Sequence, residues 1–229
     1  MIFFGSELFA GGHSSTLQDV KARGKLRCVV TTGLPGFAAP DANGVWRGFD
    51  WDFCRATAAA VFGDANAVDP ITSTGKTRFT KLNAGEGDVL WRNTTITFSR
   101  DVSVKLRFLG VNYYDGQGFM VNKSLGVSSA KELDGASVCI QTGTTTELNL
   151  ADFFSSNNMS YEAVTIETND EARQNYEAGR CDIYATDASG LASTRSSLPN
   201  PNDHMVLPEI ISKEPLGPAC LLYTSPSPR

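Results

Sequence analysis

One six-residue pattern occurs once in each half of the chain and constrains the fold more than any other feature. Ala84-Gly85-Glu86-Gly87-Asp88-Val89 and Ala178-Gly179-Arg180-Cys181-Asp182-Ile183 share the form A-G-x-x-D-[VI]. Each follows a helix-patterned stretch and leads into an apolar, strand-like run that ends in polar residues. Glycine just past a helix can take the left-handed conformation that closes it, after which the hydrophobic period changes from helix to strand. The same transition in both halves predicts two similar α/β lobes. A chain of 229 residues can form both.

The other elements fit around these two points. Residues 18–24 read as a short polar helix, and Leu26-Arg27-Cys28-Val29-Val30 as a strand running into a Gly/Pro loop that ends at Phe37. Phe49, Phe53, Ala56 and Ala60 lie at i, i+4, i+7 and i+11 and predict the inward face of a helix that ends at Gly63. A helix over 78–84 stops at Gly85, and 88–91 is a strand. The extended segment 111–121 mixes small residues with aromatics and suits a hinge strand joining the halves. Residues 210–218 suit a second crossing. The expected organisation is lobe 1 over 16–112 and 209–219, and lobe 2 with its hinge over 113–208. Residues 1–15 have apolar clusters but no basic n-region and read as a leader or signal remnant.

Four polar clusters sit at predicted strand ends: 31–37, 93–97, 142–146 and 186–187. In open α/β sheets ligands bind beyond the carboxyl ends of the strands. Two clusters fall in each half, so a ligand touched by all four must lie between the halves. Arg92 to Asp101 and Gln141 to Glu147 concentrate hydroxyls, backbone N–H groups and guanidinium charge with little apolar bulk. That chemistry suits a small zwitterion. Thr144 and Glu147 have capping-box spacing and place a helix N-terminus there, where unpaired N–H groups attract anions.

Composition removes several alternatives. The net charge is −5 and Lys and Arg form no stripe, so the chain has no nucleic-acid footprint. No apolar run approaches the roughly 18 residues of a membrane helix. Cys28, Cys54, Cys139 and Cys181 lack zinc-ligand spacing. One pair lies in each half, so pairing of Cys28 with Cys54 and of Cys139 with Cys181 is expected, which implies an oxidising compartment. The alternative is four buried thiols.

These residues lead to a family. Gly33-Leu34-Pro35-Gly36-Phe37, Gly48-Phe49-Asp50, Asp52-Phe53-Cys54-Arg55, Arg92-Asn93-Thr94-Thr95 and Ser99-Arg100-Asp101 resemble the substrate-binding proteins of polar and general L-amino-acid ABC transporters. So do Tyr113-Tyr114-Asp115-Gly116-Gln117-Gly118-Phe119, Gln141 with Gly143 to Glu147, and Ser212 to Pro218. The resemblance covers about residues 16–219 and keeps the order of many separated motifs. It implies an α/β, two-lobe periplasmic-binding-protein-like (type II) fold with two hinge strands. The function it implies is binding of one L-amino acid and delivery to the permease subunits of an ABC transporter. The expected location is the periplasm, and the expected state a monomer with no cofactor and no metal. By resemblance, Arg100 clamps the ligand α-carboxylate, Thr144 and Thr145 mark the helix N-terminus facing it, and Asp187 pairs with the α-ammonium. Thr95 and the Asn93 backbone share the ammonium, and Phe37 packs on the ligand's side chain. The loop at 75–78 is expected to shape the side-chain end of the pocket.

The chain also departs from the family. Trp91 stands where a small residue is usual, and Lys105 and Arg107 add charge. Residues 220–229, Cys220 to Arg229, do not continue the family's sequence and read as a non-native tail that leaves lobe 1 incomplete. Two other functions compete. Ser73-Thr74-Gly75-Lys76 and Ser128-Ser129-Ala130-Lys131 fit S-x-x-K of serine-type hydrolases, but the partner motifs S-D-N and K-T-G are missing. A ligand-sensing domain of the same fold would need a membrane segment beyond this chain.

Overall fold

The computed structural model describes residues 16–222. The expected leader and residues 223–229 of the expected tail lie outside the described residues. Lobe 1 opens with α1 (Thr16–Arg23) and β1 (Leu26–Thr31), then a small hairpin of β2 (Ala39–Pro40) and β3 (Trp46–Arg47). It continues with α2 (Phe49–Phe62), β4 (Val68–Ser73), α3 (Arg78–Asn83), β5 (Val89–Leu90), α4 (Phe98–Ser103) and β6 (Leu106–Phe108). The long strand β7 (Tyr113–Asn122) crosses into lobe 2. There follow β8 (Ala136–Gln141), α5 (Thr145–Ser156), β9 (Tyr161–Ile166), α6 (Asn169–Glu177), β10 (Ile183–Asp187), α7 (Ala188–Ser196) and β11 (His204–Val206). β12 (Ser212–Leu216) returns antiparallel to β7, and β13 (Ala219–Leu221) rejoins the first sheet.

Both lobes contain the same strand-helix-strand-helix-strand unit, with its first strand in the middle. β1 pairs in parallel with β4 and β5, and β8 pairs in parallel with β9 and β10. An antiparallel strand then borders the third strand: β13 beside β5, and β7 beside β10. This is the two-lobe type II arrangement with two crossing strands.

The repeated hexamer makes the same joint twice. Gly85 and Gly179 both have positive φ, 72° and 68°. The amide of Glu86 bonds back to Lys81 and that of Gly85 to Leu82; Arg180 bonds to Asn175 and Gly179 to Tyr176. These are the paired bonds of a Schellman ending. The aspartate then fixes the register. Asp88 donates its N–H to the Arg27 carbonyl while its carboxylate accepts the Arg27 N–H at 2.7 Å. Asp182 does the same with Ser137, whose N–H it accepts at 2.9 Å. Each third strand is thereby locked against the first, and a one-residue slip would turn its buried side chains outward.

Disulfides join Cys28 to Cys54 and Cys139 to Cys181, with Cα–Cα separations of 6.0 and 5.6 Å. The first turns α2 away from its expected orientation. The stripe Trp51, Cys54, Ala58 is buried, while Ala56 and Ala60 are exposed. Cys54 must face Cys28 on β1, and Trp51 packs against Trp46 with ring centroids 5.9 Å apart. Phe49 and Phe53 then fall on the flank, where Phe53 stacks on Trp91 at 4.5 Å. Cys220 and Leu221, expected to begin the tail, form β13 opposite Arg107 and Leu106, with Leu221 buried.

Candidate functional site

Three of the four strand-end clusters, 93–97, 142–146 and 186–187, converge on one cleft between the lobes, while 31–37, expected to join them, lines neighbouring cavities instead. Asn93, Thr95 and Arg100 line it from lobe 1, and Thr144, Thr145 and Asp187 from lobe 2. The lobes touch around it. Arg78 donates to the Gly143 carbonyl at 3.1 Å, and the Thr95 and Thr145 hydroxyls are 3.4 Å apart. Asn169 donates to the Thr31 hydroxyl at 2.9 Å, and Ser193 to the Pro35 carbonyl at 2.7 Å. The lobes lie so close that the remaining cavity is only about 20 Å³.

Arg100 sits in the first turn of α4. Thr97 caps that turn, its hydroxyl accepting the Arg100 N–H at 3.1 Å. The guanidinium bonds to the Thr95 carbonyl at 2.8 Å and lies 5.4 Å from the Phe79 ring centroid. Asp187 ends β10 at the N-cap position of α7 but makes no capping bond. It is buried, and burial pushes its pKa up to about 8, with Asp115 and Glu214 raising it further and Arg78 and Arg100 pulling it down. An ammonium placed beside it would reverse that shift.

The N-terminus of α5 lies where Thr144 and Glu147 place it, but its bonding differs from a capping box. The Thr144 hydroxyl donates to the Gln141 carbonyl at 2.7 Å, and Glu147 accepts the Gly143 N–H at 2.7 Å. The capping box forms instead at Thr168 and Glu171 of α6. No side chain of Thr144 therefore occupies the first N–H groups of α5, and these remain directed at the cleft end of the helix. The Thr145 hydroxyl also has a partner: it donates to Glu214 of β12 at 2.8 Å. Glu214 is buried, and its other oxygen accepts from Asn149 at 2.7 Å and Ser212 at 2.5 Å. Asn149 bonds Gln117 of β7 at 2.9 Å. A buried polar network thus ties the anion-facing end of α5 to both crossing strands.

Asn93 has a φ of 20°, unusual for a residue with a side chain, and its N–H is held by Asp50 at 2.7 Å. Phe37 is not among the residues lining this cleft. It is buried against Phe49 and Tyr113, 6.3 and 5.9 Å between ring centroids, and lines a neighbouring aromatic cavity. The loop from Gly33 turns it toward the hinge. Tyr113 belongs to that aromatic cluster, while Tyr114 is exposed.

Five cleft residues escaped the sequence reading as ligand contacts: Arg78, Arg92, Gln141, Thr146 and Thr186, the two arginines being the charged ones. Arg78 sits at the first position of α3, in the stretch expected to shape the pocket, and Arg92 follows β5 within a motif already singled out. Both are buried, at 2% and 3% exposure. Burial pushes the Arg92 pKa down to about 10 and that of Arg78 well below its ordinary value. A guanidinium keeps its proton at neutral pH, so both side chains are cations in the cleft lining, with Asp187 acting on both and Asp50 on Arg92.

Among the described residues no helix is long and apolar enough to cross a membrane. Residues 26–175 match the family described as bacterial extracellular solute-binding proteins, family 3. The glutamate/glutamine/aspartate/asparagine-binding protein BztA of Rhodobacter capsulatus is 65% identical over 94% of this chain and 65% of its own length. The general L-amino acid-binding periplasmic protein AapJ of Rhizobium johnstonii is 59% identical over 90% of this chain and 60% of its own length. This chain therefore spans less than two thirds of either relative. A periplasmic binding protein from Brucella ovis with glutathione bound superposes with a TM-score of 0.88 at 55% identity, covering 91% of this chain and 66% of that one. By sequence and by fold, the chain belongs to the bacterial extracellular solute-binding proteins, family 3.

Proposed function

We propose that the protein binds an L-α-amino acid between its lobes in the periplasm and delivers it to the permease subunits of an ABC transporter. The observation that carries this reading is one cleft in which Arg100 and the α5 N-terminus oppose a buried Asp187. Arg100 takes the α-carboxylate, because a planar guanidinium grips both oxygens. The α5 N–H groups take the same carboxylate from the other lobe. Since the Thr145 hydroxyl is bonded to Glu214, the Thr145 contribution comes from its backbone N–H. Asp187 takes the ammonium, beside Thr95 and the Asn93 carbonyl. The family and the binding roles of BztA and AapJ support the reading, and the two disulfides suit an oxidising compartment. The protein acts by binding and closing as a monomer, with no catalytic step. Phe37 supports the hinge side of the cleft through Phe49 and Tyr113.

Calorimetry against the protein amino acids and glutathione tests this. Glutathione belongs in the panel because its γ-glutamyl end carries a free α-carboxylate and ammonium. At least one ligand should bind with micromolar or tighter affinity, about 8 kcal/mol. Arg100→Ala should weaken it by about 3–5 kcal/mol, since the carboxylate loses its main buried partner. Binding unchanged in Arg100→Ala, or no binding by any member of the panel, overturns the reading.

A further inference from the structure

Asp187 ends β10 at the N-cap of α7, where an aspartate ordinarily accepts an N–H from the second or third residue of its helix. It makes no such bond. The second residue of α7, Ser189, is served from another strand instead. Its N–H donates to Asp115 of β7 at 3.3 Å, and its hydroxyl donates to the other oxygen of the same carboxylate. The Gly116 N–H fixes that carboxylate at 2.9 Å. Asp115 thus does for α7, from 74 residues away in sequence, what Asp187 would otherwise do. The Asp187 carboxylate is left lining the cleft. Asp115 also has a counterpart. Antiparallel register places it directly opposite Glu214 of β12. Side chains directly opposite share a face, and like charges there repel. Lobe 2 holds both: Ser189 at the start of α7 bonds Asp115, while Thr145 at the start of α5 and Asn149 bond Glu214.

We infer that Asp115 is a positioning residue for the ligand ammonium: it caps α7 from the crossing strand in place of Asp187 and so frees Asp187 for the ligand, while Glu214 opposite it holds the start of α5 on the same ribbon. The inference rests on the amino-acid reading above and adds to it what keeps Asp187 available. Without the remote cap, Asp187 would turn to its own helix N-terminus, where unpaired N–H groups and the helix dipole favour a carboxylate. That bond would compete with the ammonium. The remote cap has a second consequence. Asp115 and Glu214 both act on Asp187 as like charges, against Arg78 of α3, Arg92 after β5 and Arg100 of α4, with Tyr184 of β10 beside it. Asp115 helps to hold the Asp187 carboxyl up. The proton lost from Asp187 when an ammonium arrives is therefore set in part by a residue that does not line the cleft.

The test compares Asp115→Ala and Asp115→Asn with the wild type, all as the full chain. Asparagine keeps an acceptor for Ser189 and removes the charge, whereas alanine removes both. L-Glutamate and L-glutamine are the probes, because they share one head group and differ in side-chain charge. In calorimetry at a pH of about 8.5, Asp115→Ala should weaken both probes by the same factor, about tenfold or more, and Asp115→Asn should recover most of that loss. Carboxyl carbon NMR of the ligand-free chain should show Asp187 titrating about half a pH unit or more lower in Asp115→Asn than in the wild type. The pH at which affinity levels off should fall with it. Asp187 titrating alike in Asp115→Asn and the wild type overturns the inference. So does Asp115→Ala binding as tightly as the wild type, or Asp115→Asn losing as much as Asp115→Ala. Failure of both probes to bind the wild-type chain counts against the amino-acid reading, and the titration of the ligand-free chain then decides alone whether Asp115 acts on Asp187.

Discussion

The two lobes share one architecture and bring opposite chemistry to the cleft. Lobe 1 supplies three guanidiniums, Arg78, Arg92 and Arg100. Lobe 2 supplies the N-terminus of α5, a row of threonines and Asp187. Their frames are built alike, down to the Gly85 and Gly179 helix endings and the Asp88 and Asp182 register locks. The frame is thus independent of the cargo chemistry, because it uses backbone bonds while the strand-end loops are free to vary. The lobes also differ in finish. Lobe 2 closes its core around Phe119, Leu150, Phe154 and Leu207. Lobe 1 leaves a groove of about 1060 Å³ beside α3, α4 and β13, lined by Phe79, Val104, Lys105 and Leu221.

The largest test of this likeness is removal of the disulfides. Each lobe has one, but they tie different parts: strand to helix in lobe 1, and strand to the turn before β10 in lobe 2. With sequence separations of 26 and 42, chain entropy assigns about 3.5 and about 4 kcal/mol. Paired Cys→Ala variants should show these losses in denaturant unfolding. A loss below about 1 kcal/mol in lobe 2 alone would show that its core holds without the bridge, and would break the equivalence.

A smaller effect separates the charges of the lobes by pH. Arg100 stays charged, whereas the carboxyl of Asp187 is raised to about 8 without a partner. A carboxyl raised on folding favours the fold below its unfolded value near 3.8, and that contribution is lost as pH rises through about 8. Ligand binding has the opposite sign, because an ammonium needs the ionised form. Affinity should therefore rise between pH 6 and 8, by up to about tenfold per unit, with proton release at the lower pH. Equal affinity and no proton release at pH 6 would show that the ammonium is held elsewhere.

The smallest effect concerns the lip where the lobes meet. Gly75 and Gly143 face each other across the cleft. A Cβ at Gly75 would lie 2.8 Å from the Thr142 carbonyl oxygen and 2.9 Å from Thr144 Cγ2. Gly143 has a φ of +71°, so a side chain there is also strained by its own backbone. Gly75→Ala should hinder closure alone, weakening ligand by about 1 kcal/mol and expanding the liganded particle in small-angle scattering. Unchanged affinity and size would mean that the lobes need not approach this closely.

Part of this protein is legible in its sequence because short-range geometry writes it there. The two helix endings need glycine, the register locks need aspartate, and strand-end loops carry the polar residues, so lobes, strands and the position of the cleft follow from local pattern. The cysteine pairing follows from one pair in each half. Other features required the folded molecule. The inward face of α2 depends on where Cys28 lies, so helical periodicity alone chose Ala56 and Ala60. The hydroxyls of Thr144 and Thr145 find partners in the Gln141 carbonyl and Glu214, and Phe37 turns to the hinge aromatics. Arg78 and Arg92 meet Asp187 only because strand order and lobe contact bring three separate strand ends to one point. Periodicity and capping act over a few residues, whereas the charge of the cleft is a sum over elements from both lobes. Local pattern along the chain sets the frame and its opening, and contact between the folded lobes sets which charges face each other inside it.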